Sequence, residues 1–242
     1  MNPETDLRLN LVHRFFAGTG RSYDFMVNFA TFGIDRRWKR RIADLIPPNP
    51  TRVLDLACGT GISTLAIATR YPDCHVVGVE LREEYLQIAR AKIEKLGIRN
   101  IEFILSRAED YHSHEPFDCV ISSYLAKYAD LKQLTFNTKK MLKAGGLVLM
   151  HDFTYPPKAY LIWIWRVYFK VLQLVGAIFF PAWRAIFHGL PVLIQQTCWL
   201  PELRGTLREN GFTNIKTEYL TAYGSAIVTA HNQATNEDTH LK

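Results

Sequence analysis

The run Val53-Leu54-Asp55-Leu56-Ala57-Cys58-Gly59-Thr60-Gly61 puts an apolar strand, an acid and two alternate glycines into nine residues. A turn of this kind leads from strand to helix, and the glycines let the backbone wind tightly where a ligand comes close. Nineteen residues after Gly61, a second apolar strand, His75-Val76-Val77-Gly78-Val79, ends in Glu80. Together they point to an α/β sheet that holds a nucleoside at its carboxyl edge. The acid at the end of the second strand is placed to accept from both ribose hydroxyls.

Two familiar ligands are excluded. A phosphate loop needs Gly-Lys-Ser/Thr, and Gly61 is followed by Ile62-Ser63-Thr64. A dinucleotide fingerprint needs a third glycine, where Thr64 stands.

The rest of the chain alternates. Helices are expected at 7–17 and 35–45, flanking a loop, and Pro47-Pro48-Asn49-Pro50 breaks the chain before the first strand. Strands are predicted at 52–57, 75–79, 101–105, 117–122 and 147–151, with helices at 62–70, 83–95 and about 131–142 between them. Segments 216–220 and 225–230 form a final antiparallel pair around Tyr223-Gly224. The fold class is therefore α/β: a Rossmann-like, doubly wound, mostly parallel seven-stranded sheet with an antiparallel edge hairpin. The expected organisation is a helical cap (1–50), the α/β core (51–155), a hydrophobic lid (156–205), the last strands (206–230) and a disordered tail (231–242).

The lid is distinctive. Ala159–Phe180 reads AYLIWIWRVYFKVLQLVGAIFF, long enough to span a bilayer. Arg166, Lys170 and Gln173 on one side argue against a span, since a central cation costs about 3 kcal/mol on insertion scales. Lid helices that touch a bilayer, or that line a greasy substrate tunnel, fit better; a buried helix pair is the plainer alternative. The chain carries a net charge of +6. Arg36-Arg37-Trp38-Lys39-Arg40-Arg41 sets five cations around one tryptophan, which suits an anionic membrane surface or a solvated helix face with Ile42 and Leu45 turned inward. No nucleic-acid signature accompanies it. The four cysteines lack C-x-x-C spacing and read as reduced, cytoplasmic residues; no metal-ligand pattern is present, and His112 and His114 lie in a polar loop.

The pattern D-x-A-x-G-x-G resembles that of S-adenosylmethionine-dependent methyltransferases. The resemblance implies S-adenosyl-L-methionine as cofactor, with Asp55 near its methionine end, Ala57, Gly59, Thr60 and Gly61 beside it, and Glu80-Leu81 at the ribose. Two further stretches resemble the ubiquinone/menaquinone biosynthesis C-methyltransferases: Tyr23-Asp24-Phe25-Met26-Val27-Asn28 with Thr31-Phe32-Gly33-Ile34-Asp35-Arg36-Arg37-Trp38-Lys39-Arg40, and Lys140-Met141-Leu142-Lys143-Ala144-Gly145-Gly146 with His151-Asp152-Phe153-Thr154. The resemblance runs from about residue 12 to 230. It adds Tyr23, Ala108, Glu109 and Ser122 to the cofactor contacts and implies transfer of a methyl group to a ring carbon of a prenylated quinol.

The chain departs from that family at telling places. Val27 stands for an Asn, Asp35 for a His, Asp152 for a Glu and Thr154 for a Ser. After the fourth strand the family's Ile-Ser-Phe-Gly-Leu-Arg-Asn becomes Ile121-Ser122-Ser123-Tyr124-Leu125-Ala126-Lys127. The cofactor half is kept and the acceptor half altered, so a changed quinone reaction is a second reading. One relative exchanges a ring methoxy for an amino group on the way to rhodoquinone. A phospholipid or small-molecule acceptor, or a non-catalytic cofactor-binding scaffold, are further alternatives. Activating a quinol carbon requires removal of a phenolic proton, whose pKa is near 10 in water. Asp152 is the first candidate base, with His151, Tyr124 and Lys127 beside it at the carboxyl edge; on a regular strand His151 and Asp152 point to opposite faces. The expected setting is cytoplasmic and peripheral, on the inner face of the cytoplasmic membrane, as a homodimer or within a biosynthetic complex.

Overall fold

A computed structural model describes residues 3–233. Its centre is a seven-stranded sheet of order β3-β2-β1-β4-β5-β7-β6. Strands β1 (Arg52–Leu56), β2 (His75–Glu80), β3 (Ile101–Leu105), β4 (Phe117–Ser123) and β5 (Leu142–Phe153) run parallel. β7 (Ser225–Asn232) pairs antiparallel with β5, and β6 (Phe212–Leu220) antiparallel with β7, as the expected edge hairpin. Helices α4 (Ile62–Arg70), α5 (Glu83–Leu96), α6 (Leu131–Met141) and α9 (Trp199–Glu209) pack on its faces.

The strands' period of two divides the core. Leu54, Leu56, Val77, Val120, Val148 and Met150 pack with Leu134 of α6 and Leu203 of α9. Val53, Val76, Cys119, Ile121 and Leu149 face the other way, towards Ile67 of α4 and Ile42 of helix α3 (Asp35–Leu45). Chain direction diverges between β1 and β4, and the crevice at their carboxyl ends is where such sheets bind ligands.

A third cluster lies over that crevice. It joins Phe15 of α1 (Pro3–Phe16), Met26 of α2 (Gly20–Ala30), Phe169 and Leu172 of α7 (Ala159–Phe179), and Ile186, Phe187 and Ile194 of α8 (Arg184–Gln196). Trp183, in the short 3₁₀ turn between α7 and α8, belongs to it too. A Cβ on Gly176 would stand 2.1 Å from the Phe187 ring, so this glycine sets how closely α7 and α8 approach.

Three expectations are corrected. The loop expected between the first two helices contains α2, held by long-range bonds: Gly20 N–H donates to Glu84 Oε1 at 3.0 Å, and Lys92 Nζ meets Asp24 at 2.5 Å. Of the tail expected over 231–242, His231 and Asn232 instead pair in β7; residues 234–242 lie outside the described residues. Trp38 is not displayed among its cations. It is buried against His151 and Phe153, and its indole N–H donates to Thr221 Oγ1 at 2.9 Å. Arg36, Arg37, Arg40 and Arg41 remain exposed around it, while Ile42 turns inward.

Candidate active site

The turn after β1 holds three residues at positive φ: Ala57 (57°), Gly59 (59°) and Gly61 (81°). It is wound tightly enough for Gly61 N–H to reach Cys58 O at 3.0 Å. A side chain on Gly61 would press on Ala89 and Phe103 at 3.2 and 3.3 Å, so the glycine seats α4 against α5 and β3. Glu80, at the end of β2, closes this turn. Its Oε2 accepts from Gly59 N–H and its Oε1 from Arg82 N–H, both at 3.0 Å. Burial raises the Glu80 pKa, opposed by the N–H groups of Arg82, Gly59 and Leu81.

Above the turn lies a cavity of about 350 Å³. Its walls are Ala57 and Gly59, Glu80 and Leu81, Ala108 and Glu109 after β3, and Tyr124, Leu125 and Tyr128 after β4. Helices α1 and α2 close it with Val12, Phe16 and Tyr23. The volume is within the range of small-molecule sites. Its lining combines acidic, basic and aromatic side chains with the bare backbone of the glycine turn. Ala57, Gly59, Glu80, Leu81, Ala108, Glu109 and Tyr23 thus share one wall system. Glu109 is buried, accepting from Asp130 N–H at 3.2 Å with Arg107 at 3.7 Å. Ser122 is buried and lines neither this cavity nor its neighbour.

The neighbour is a small cavity of about 30 Å³, with room for a water or two. Tyr23, Ala57, Gly59, Ser123 and Tyr124 line both spaces, and Asp35, Lys39, Asp55 and Thr60 line only the smaller. Asp55 accepts from Thr64 Oγ1 at 2.7 Å, yet burial pushes its pKa up to about 6. The folded state therefore holds a proton between about pH 4 and 6 that the unfolded chain has lost. Stability falls as pH rises through that window, by about 3 kcal/mol in total. Asp55→Asn is expected to be more stable than the parent at pH 7 and equal to it near pH 4. Urea unfolding at both pH values checks this, and equal midpoints at pH 7 would refute it.

Tyr124 is the residue on which both spaces turn. Its backbone is left-handed, with φ 65°, a strained state for an aromatic residue. Its N–H donates to His151 O at 2.7 Å, its ring stacks on Phe153 at 4.6 Å, and its hydroxyl donates to Asp35 Oδ1 at 2.5 Å. Burial, then Asp35, raise the Tyr124 pKa well above its ordinary value, so the phenol stays protonated.

The other three candidates sit behind it. Asp152 and Lys127 form a buried ion pair at 2.6 Å. The Asp152 oxygens also accept from Lys127 N–H (3.1 Å) and Phe153 N–H (2.7 Å), and Lys127 Nζ donates to Tyr124 O at 2.8 Å. His151 is packed between Trp38 and Tyr124, and neither ring nitrogen has a hydrogen-bond partner. Burial, with Lys39 and Lys127 nearby, drives its pKa well below the ordinary value and keeps it neutral. None of the three lines either cavity.

Sequence reasoning gave Lys39 no site role; it marked Asp35 as a departure from the family and Asp24 as part of a stretch that resembles it. Asp24 accepts from Thr60 Oγ1 and pairs with Lys92, clamping α2 onto the glycine turn. Asp35 and Tyr124 lie 89 positions apart, so no local spacing signals their meeting.

Known proteins resemble this chain over most of its length. Over 217 residues the chain is 30% identical to the demethylmenaquinone methyltransferase of Thermus thermophilus, covering 88% of this chain and 97% of that one. It is 29% identical to a ubiquinone/menaquinone biosynthesis C-methyltransferase of Syntrophotalea carbinolica, covering 82% and 84%. An O-methyltransferase family protein from Burkholderia thailandensis has the same fold, with a TM-score of 0.63 at 17% identity over 92% of this chain and 63% of that one. The model of the ubiE/COQ5 methyltransferase family matches residues 4–234, a span that takes in the sheet, the glycine turn and the lid together. The chain belongs to that family and is an S-adenosylmethionine-dependent methyltransferase.

Proposed function

We propose that this enzyme methylates a ring carbon of a prenylated quinol in respiratory quinone biosynthesis. The observation that carries the reading is the junction at Tyr124, where the cofactor cavity meets a small polar space beneath an apolar lid. The named relatives methylate demethylmenaquinone or act in ubiquinone/menaquinone biosynthesis, which supports a quinone-type acceptor.

When bound, the cofactor supplies an electrophilic methyl group on a sulfonium. The protein's work is to hold that group in line with the acceptor carbon and to keep water out. Glu80 would hold the ribose and the glycine turn the methionine end, while Tyr23 and Tyr124, which line both cavities, would border the acceptor. Methyl-labelled S-adenosylmethionine supplied with a demethylated prenyl quinol in phospholipid vesicles tests the reading. Label is expected in the quinone fraction. Label only in phospholipid would replace the acceptor, and cofactor binding without any transfer would favour a scaffold. A product carrying a new ring substituent other than methyl would favour the altered quinone reaction.

The lid fits a substrate that lives in a bilayer, and we propose that the protein docks peripherally on the cytoplasmic leaflet. Tyr160, Trp163, Ile164, Val167, Val171, Leu174 and Ile178 recur at three- and four-residue steps along α7 and are exposed. Phe25, Phe29 and Phe32 extend this surface: Phe29 lies 5.9 Å from the Phe180 ring and Phe32 lies 6.0 Å from Tyr168. Exposed cations at Arg36, Arg37, Arg40, Arg166 and Lys170 suit anionic headgroups. No helix among the described residues is long and apolar enough to cross a membrane. Leu174→Glu with Ile178→Glu is expected to weaken partition onto phosphatidylglycerol vesicles at least a hundredfold, since losing two buried aliphatic side chains costs about 3–6 kcal/mol. Flotation measures this; unchanged partition would remove the docking face.

A further inference from the structure

Asp35 opens α3 and is buried, at 3% exposure, in the wall of the small cavity. Its Oδ1 takes the hydrogen bond of the Tyr124 hydroxyl at 2.5 Å. Lys39, one turn on, holds its ammonium 4.9 Å over the Tyr124 ring. A carboxylate, a phenol and a cation thus converge on a space of about 30 Å³, which takes a hydroxyl group and not a ring. Tyr124 spends its proton on Asp35, so its oxygen keeps a lone pair that can accept from another O–H. Asp152 is differently placed: Lys127 and the Phe153 N–H occupy its oxygens.

We propose that Asp35, acting through the Tyr124 phenol, takes the proton of the acceptor's ring hydroxyl during methyl transfer. The proposal rests on the quinol reading above. In the step, the acceptor's O–H proton passes to Tyr124 Oη as the Tyr124 proton passes to Asp35 Oδ1. The ring carbon beside that oxygen forms its bond to the methyl carbon. The methyl–sulfur bond breaks, and its electron pair stays on sulfur as a neutral thioether. The methylated carbon then loses its own hydrogen to solvent as a proton. Asp35 returns its proton through Tyr124 to the ring oxygen, restoring the aromatic quinol, so one proton is released per turnover. A phenol is a far weaker acid than a carboxylic acid at rest, but its proton becomes strongly acidic as the ring gives up electrons to the methyl group. A carboxylate relay is therefore suited to a concerted transfer. The groups that face the pair are Tyr23 from α2, Lys39 from α3, Asp55 from β1, His151 and Asp152 from β5, and Lys127 after β4.

The test compares wild type with Asp35→Asn, Asp35→Glu and Tyr124→Phe, using labelled S-adenosylmethionine and a demethylated prenyl quinol in vesicles. Asp35→Asn and Tyr124→Phe are expected to lower kcat about 100- to 1,000-fold, with KM and cofactor Kd within threefold of wild type. Asp35→Glu, which keeps the carboxylate, is expected to recover part of the rate. A kcat within threefold of wild type, or a loss confined to KM, overturns the relay and leaves the quinol reading standing. A second measurement does not need turnover. 2-Naphthol, which becomes a strong acid when excited, is bound to the enzyme loaded with S-adenosylhomocysteine. Naphtholate emission is expected from wild type and neutral-naphthol emission from Asp35→Asn and Tyr124→Phe. Identical spectra, or no binding to wild type, overturn the relay. If wild type fails to methylate the quinol yet shows emission that depends on both residues, the relay holds and the quinol reading falls. Should Asp35→Asn fail to fold, Tyr124→Phe and Asp35→Glu decide.

Discussion

Glu80→Ala is expected to raise the Kd for S-adenosylmethionine at least 100-fold while leaving the sheet folded. The carboxylate stands at the end of β2, in the cavity wall, where a ribose would offer two hydroxyl donors. Hydrogen bonds to a charged acceptor are each worth about 1.5–3 kcal/mol, so two of them correspond to at least two orders of magnitude. The same carboxylate organises the glycine turn by accepting from Gly59 and Arg82. Glu80→Gln separates these roles in part, because its carbonyl keeps one N–H partner while its NH₂ confronts the other as donor against donor. It is expected to weaken binding about as much as Glu80→Ala and to lower the melting temperature more. Calorimetric titration and thermal unfolding of both variants measure this. A Kd within threefold of wild type would falsify the ribose assignment.

The cofactor half was legible because its chemistry is local. A ligand held by backbone needs glycines at fixed offsets from a strand end, and residues 53–61 carry them in one run. Register did the rest: β1 and β2 pair residue for residue from Arg52–His75 to Leu56–Val79, so Glu80 comes out beside the turn. The acceptor half is built from contacts with no local pattern. Tyr124 meets Asp35 across 89 positions, Lys92 meets Asp24 across 68, and Trp38 finds Thr221 across 183. Composition even misleads at Trp38. Five surrounding cations suggest an exposed aromatic, but the helix face decides, and Trp38 and Ile42 lie one turn apart on the buried side. Helix α2 escaped notice for a related reason. Its N-terminus has no side-chain cap, and its support comes from α5 and the glycine turn. The lid could be read as apolar, but which stripe of it faces outward is set by packing against α1 and α8.

Asp152→Asn is expected to destabilise the protein by about 3–5 kcal/mol, the usual cost of stranding one member of a buried ion pair. Asp152 is fully buried and its partner Lys127 is only 5% exposed. Burial lowers the Lys127 pKa and Asp152 resists that fall, so removing the carboxylate leaves the ammonium with the Tyr124 carbonyl and the Tyr128 ring, 4.5 Å away. The pH dependence follows from the sign. A lysine whose folded pKa is below its unfolded value binds fewer protons when folded, so stability rises with pH between the two values. Without Asp152 the folded value drops further and the window widens towards lower pH. The deficit of Asp152→Asn is therefore expected to shrink as pH rises from neutral towards 10, more steeply than any change in wild type. Lys127→Met combined with Asp152→Asn removes both charges, and the Asn carbonyl keeps one of the two backbone N–H partners at 127 and 153. It is expected to recover most of the lost stability, because a neutral pair of similar volume escapes the desolvation cost. Urea unfolding of the three proteins across pH measures all of this. A double variant no more stable than Asp152→Asn would mean that the pair holds the 124–127 loop by geometry rather than by charge balance. The left-handed Tyr124 depends on that loop, so the ion pair reaches the chemistry only through the residue it positions.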